Sequence, residues 1–132
     1  MSPEVRRLLY EYADTLEKLE LIVLLGRQPD APWTVEYAEA RLKVPSYTLR
    51  SAFQSLRQQG LCEVVAGTDD AYELTRQNGL LRAQVRHLAE IYDDKRFEIF
   101  RLISRAAMDR VRGSMPKAFA DAFILGGNRG NG

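Results

Sequence analysis

The sequence predicts a mainly α chain of the α+β class, in which helices lead into one small β-hairpin and a long helix follows. Three observations predict it. Apolar residues recur at helical spacing from Val5 to Leu25, from Val35 to Leu56 and from Leu81 to Ala106. Two short runs, "LCEVV" and "AYELT", flank the turn-forming "AGTDD". From Leu80 to Val111 there is neither Pro nor Gly.

Each element has its own signals. Ser2-Pro3-Glu4 starts a helix, with Ser2 as N-cap, Pro3 at the first helical position and Glu4 favourable in the first turn. Asp14 with Glu17 restarts or reinforces it, and Leu16, Leu19, Ile22, Val23 and Leu25 form a buried segment that should end at Gly26. After "RQPDAP", Thr34 caps a short helix to about Leu42, with Val35, Ala38 and Leu42 inward. Pro45 disfavours helix at Val44, and Ser46 caps a helix from Tyr47 to about Gln59 that buries Leu49, Ala52, Phe53 and Leu56. Gly60 supplies its left-handed stop.

Beyond the hairpin, Leu81, Val85, Leu88, Tyr92, Lys95, Ile99, Leu102 and Ala106 alternate in steps of four and three, the spacing of a coiled coil interrupted only by Lys95. Leu80, Ile91, Phe100 and Ile103 widen the stripe. A small domain cannot bury so long a face, which predicts a dimer interface built from Leu81, Val85, Leu88, Tyr92, Ile99 and Leu102. Asp93-Asp94 mark where this helix would kink or fold into a hairpin, leaving less surface for a partner. "SMPKAFADAFIL" reads as a short closing helix with Phe119, Ala122 and Phe123 inward, and "GGNRGNG" has too little apolar surface to fold. The expected division is residues 1–77, 78–124 and a disordered tail at 125–132.

Helix, helix, helix and hairpin in this order make residues 15–75 resemble the winged helix-turn-helix domains of bacterial transcriptional regulators of the broad MarR-like and PadR-like type. The residues that carry the resemblance are "LEKLELIVLL", the turn "KVPSYTLRSAFQSL", and "LRQQGL" passing into "CEVV". It covers under half of the chain. What it implies is double-stranded DNA as a partner and a homodimer held by the helices that flank the winged domain. On the helix after Pro45, Tyr47, Thr48, Arg50, Ser51, Gln54 and Arg57 point away from the inward residues. Arg can take guanine bidentately, Gln can take adenine, and short hydroxyls can hold phosphate, so these are the candidate DNA contacts, with Arg50 and Gln54 as base readers.

Charge argues against the obvious reading. The net charge of +1 divides into eight Lys and Arg against twelve Asp and Glu up to residue 75, a balance of −4, and eleven against six beyond it, +5. The candidate wing, "VVAGTDDAYE", has Asp69, Asp70 and Glu73 with no cation, whereas affinity for nucleic acid comes largely from cations that neutralise phosphates. The alternative is a winged helix module that docks a protein partner through its basic C-terminal helix. Enzymatic chemistry is not expected: one histidine, His87, and one cysteine, Cys62, complete no catalytic pair or metal set, and no cofactor is implied. Trp33, Tyr37, Tyr47, Tyr92 and Phe97 leave two readings, core residues or the lining of an effector pocket. The lone cysteine, the absence of an apolar run of membrane-spanning length and the lack of a secretory pattern in "MSPEVRRLLYEYAD" give the expectation of a cytoplasmic protein with no membrane partner.

Overall fold

Helix α1 (Pro3–Tyr12) and helix α2 (Leu16–Arg27) open a computed structural model that describes residues 1–114, with side chains through Val111. They are followed by β1 (Trp33–Thr34), α3 (Val35–Leu42), α4 (Ser46–Gln58), β2 (Cys62–Val64), β3 (Ala71–Leu74), α5 (Gly79–Ile91) and α6 (Arg96–Ser114). The chain is thus mainly helical with a small antiparallel sheet in the order β1-β3-β2. Among the described residues no helix is long and apolar enough to cross a membrane. The expected tail and all but the first residue of the expected closing helix lie outside the described residues, which carry α6 through Ser114.

The local signals act as the sequence predicts at most element ends. Ser2 Oγ accepts the Val5 N–H at 3.3 Å and Thr34 Oγ1 accepts that of Tyr37 at 3.0 Å. Leu49, Ala52, Phe53 and Leu56 are the buried residues of α4. Gly60 has φ +82°, and the Leu61 N–H donates to Leu56 O at 3.0 Å, closing that helix. Thr15 rather than Asp14 caps α2, its Oγ1 accepting the Lys18 N–H at 3.1 Å. Pro45 rather than Ser46 precedes the first residue of α4, with no side-chain cap.

Gly26 does not end its helix. It lies inside α2, buried, and a Cβ there would stand 2.6 Å from Val85 O and 2.8 Å from Ala89 Cβ on α5. Glycine is what lets the two helices touch backbone to side chain. β1 was also not foreseen: Trp33 and Thr34 pair with Tyr72 and Ala71, so the hairpin gains a third strand.

The expected dimer interface is instead the chain's own core. Leu81, Val85, Leu88, Tyr92 and Ile99 are buried and Leu102 is half-buried, packed within the same chain where α5 lies on α2 and α1 and α6 lies on α1. Side chains already removed from water have no further surface to bury against a partner, so these six do not form an outward seam. The stripe turns inward because its helix breaks at Tyr92–Lys95, the position of Asp93-Asp94, leaving two shorter helices to lie along the N-terminal pair. Lys95 N–H to Ile91 O and Ile99 N–H to Lys95 O, both 2.9 Å, bond Lys95 to the last residue of α5 and to the first turn of α6. Arg27 and Arg96 both donate to Asp93 Oδ1, at 3.1 and 3.2 Å, and both guanidiniums sit over the Tyr92 ring. One apolar cluster runs from Val5 to Ile99, across the boundary expected at residue 77.

Candidate nucleic-acid interface

Helix α4 is fixed from behind and open in front. Its apolar residues rest on α2, α3 and β2, and the Phe53 ring stacks on Tyr72 of β3 with centroids 4.4 Å apart. A second anchor is polar. Lys18 of α2, only 4% exposed, donates through Nζ to Ser55 Oγ at 2.9 Å and Gln59 Oε1 at 2.8 Å, and pairs with Asp14 at 2.9 Å. Gln59 Nε2 in turn donates to Glu11 O at 2.9 Å. A buried ammonium costs several kcal/mol unless its donors are used, and here three acceptors use them. Nothing in the sequence marks Lys18: it reads as a solvated residue of an amphipathic helix, and its hydrogen-bond partners lie 37 and 41 residues away.

The six candidate contacts differ in exposure. Tyr47, Arg50, Ser51, Gln54 and Arg57 form one exposed stripe, with Tyr47 76% exposed, and Gln58 extends it. Thr48 is half-buried in a groove at the α1–α2 joint that Tyr47 and Ser51 line as well, together with Asp14, Thr15 and Lys18. Among the described residues no hydrogen bond or ion pair ties down the side chains of the exposed stripe, while Ser55 and Gln59 on the inner side are engaged by Lys18. Lys43 is an exposed cation near α4 in sequence that the six candidates leave out. It is exposed at φ +60° in the turn before α4, and the signal available was that it is the only cation in "LKVPS".

Electrostatically the sheet side of α4 is mixed. Burial pushes the Tyr72 hydroxyl up, Cys62 adds to this, Arg57 and Arg50 pull it back and Asp70 raises it again, so a carboxylate of the β2–β3 loop and the α4 guanidiniums act on one ring. The loop between β2 and β3 is a tight turn. Val65 N–H donates to Ala71 O at 2.8 Å, Thr68 Oγ1 donates to Val65 O at 2.8 Å, and Gly67 has φ +83°. Asp69 at its tip is exposed.

The remaining candidates disperse. Trp33 and Tyr37 meet edge to face at 5.1 Å, Trp33 and Tyr92 are buried, and Tyr37, Tyr47 and Phe97 are exposed, so the five aromatics do not line one pocket. His87 is exposed beside Glu90, Nδ1 to Oε2 3.8 Å. No group of three or more His, Cys, Asp or Glu among the described residues is placed to hold a metal ion. Cys62 is buried with its thiol toward Phe53 O, and burial pushes its pKa from 9.0 up to about 12. The folded thiol therefore stays protonated while the unfolded one ionises near pH 9. Stability present below pH 9 is lost as the pH rises from 9 toward 12. Native protein at pH 8 should leave a disulfide reagent unconsumed until urea is added; immediate reaction of one equivalent would show that the thiol is accessible. None of the protein-family models, curated proteins or solved structures compared with this chain matches it.

Proposed function

We propose that residues 15–75 form a winged helix and that the chain binds double-stranded DNA through α4, as a transcriptional regulator. The order helix, strand, helix, helix and hairpin, with a β1-β3-β2 sheet beside α4, supports the winged helix reading. The observation that carries the function is the free outer stripe of α4. Tyr47, Arg50, Ser51, Gln54 and Arg57 are polar or amphipathic, exposed and without a side-chain hydrogen bond or ion pair among the described residues, whereas Ser55 on the other side of the helix is engaged by Lys18. Lys43 and the uncapped N-terminus of α4 add positive potential at the end of the helix that would enter a major groove first. This reading rests on α4 and not on the dimer, since the residues expected to hold one are packed inside the chain.

A salt series of fluorescence anisotropy on double-stranded fragments tests it. The expected result is binding that weakens with salt in proportion to the phosphates neutralised, and preference for one sequence. Arg50→Ala should cost about 1–3 kcal/mol at a single base position and relax the preference there. Uniform weak binding with no effect of Arg50→Ala would remove α4 from the role. The second reading, a winged helix that docks a protein, is favoured by Asp69 and Asp70 at the loop that would run beside the phosphates.

A further inference from the structure

A crevice of about 330 Å³ lies between α2, the end of α3 and the α5–α6 joint. One face of α2 forms a wall of it. Glu20, Val23, Leu24 and Arg27 follow at helical spacing, so a carboxylate stands at one end, a guanidinium at the other and apolar side chains between them. Val23 and Leu24 are buried, while half-buried Leu42 and Phe100 line the crevice from α3 and α6. Tyr92 and Arg96, on either side of the joint, complete the lining. An apolar floor with a few polar groups around it is what small-molecule sites are made of.

Those polar groups are underused within the chain. Tyr92 is only 8% exposed, yet among the described residues its hydroxyl has no hydrogen-bond partner. A hydroxyl withdrawn from water and left unpaired costs free energy that a ligand can restore. Glu20 is half-buried, with no hydrogen bond or ion pair among the described residues; burial pushes its carboxyl up, Glu17 adds to this and Arg96 pulls it back. Glu20 and Arg96 therefore act on each other without being in contact. Arg27 and Arg96 each give one N–H to Asp93 Oδ1, and a guanidinium has five, so most of their donors stay available. Glu20 and Asp93 balance Arg27 and Arg96 around the Tyr92 hydroxyl, which all four influence. Such a site suits a ligand that is neutral overall but carries separated charges. A simple acid would leave Glu20 unpaired, and a simple amine would leave the guanidiniums so.

We propose that this crevice binds a free α-amino acid with an apolar side chain. Glu20 takes the ammonium, Arg96 and the Tyr92 hydroxyl take the carboxylate, and the side chain lies on Val23, Leu24, Leu42 and Phe100. A free amino acid holds both charges on one carbon beside an apolar group, which separates it from peptide ends and from fatty or aromatic acids. The site is distinct from the exposed stripe of α4 and does not depend on whether α4 binds DNA. Chemical-shift titration of the full isotope-labelled chain with leucine, methionine and phenylalanine tests it, each beside its N-acetyl and its amide derivative. At least one should bind saturably below about 10 mM, and either derivative should bind about tenfold more weakly or worse. Tyr92→Phe and Glu20→Gln remove no hydrogen bond found within the chain, so circular dichroism should show both folded, and each should weaken binding about tenfold. Glu20→Gln should also erase the preference for the free ammonium over the N-acetyl form. No saturable binding of any of the three, equal binding of an N-acetyl form or of 4-methylpentanoate, or full affinity in either variant would overturn the proposal. The derivative series on the unaltered chain decides the matter even where a variant folds poorly.

Discussion

Gly26→Ala should destabilise the fold by about 2–3 kcal/mol, lowering the urea midpoint and bringing the thermal midpoint down by about 10 °C. The sign is what makes this informative. In an exposed helix interior the same substitution gains about 1 kcal/mol, because alanine restricts the unfolded chain and suits the helix. Here the added methyl would stand 2.6 Å from Val85 O and 2.8 Å from Ala89 Cβ, and Val85 O belongs to a helical backbone that cannot turn aside as a long side chain can. The α2–α5 packing must open, and it is the seat of Ile22, Leu25, Val85 and Leu88. An unchanged or raised midpoint would mean that the two helices stand further apart than this structure places them.

Replacing Asp69 and Asp70 together by Lys should raise affinity for double-stranded DNA about tenfold or more at moderate salt. It should also steepen the dependence of log K on log salt by about one to two. The two carboxylates sit on the β2–β3 loop on the sheet side of α4, where Asp70 shares the Tyr72 ring with Arg50 and Arg57. If α4 enters the groove, this loop approaches the sugar-phosphate backbone, and its two negative charges are repelled where two positive ones would be drawn in. Anisotropy titrations of both proteins at three salt concentrations measure the change. Equal affinities and slopes would show a loop held off the DNA. Failure of both proteins to bind would leave docking of a protein partner as the reading to pursue.

How legible these features were depends on how local their causes are. The caps at Ser2 and Thr34, the inward set Leu49, Ala52, Phe53 and Leu56 and the stop at Gly60 arise from side chains acting within one or two turns, so sequence spacing reveals them. β1 is two residues long, too short for alternation to show, and exists because β3 offers Tyr72 and Ala71 across the chain. Gly26 looked like a stop because glycine has that use near helix ends, and only the proximity of α5 gives it the other one. The spacing of the long stripe from Leu81 predicts a partner surface and the chain buries it internally instead, because periodicity says that a face is covered and not by what. On the candidate interface, the outward direction of Arg50, Ser51, Gln54 and Arg57 followed from the inward set. The partial burial of Thr48 did not, because it depends on where the α1–α2 joint passes.

The placement of α1 has a thermodynamic consequence. On one side it meets α6, where Arg110 lies over the Tyr10 ring at 4.8 Å, and at its end Glu11 O accepts from Gln59, the residue that follows α4. The free energy of seating α6 and that of seating α4 therefore share a term, the order of these ten residues. Whatever tightens α1 at one contact lowers the cost of order at the other, and whatever frays it is felt at both.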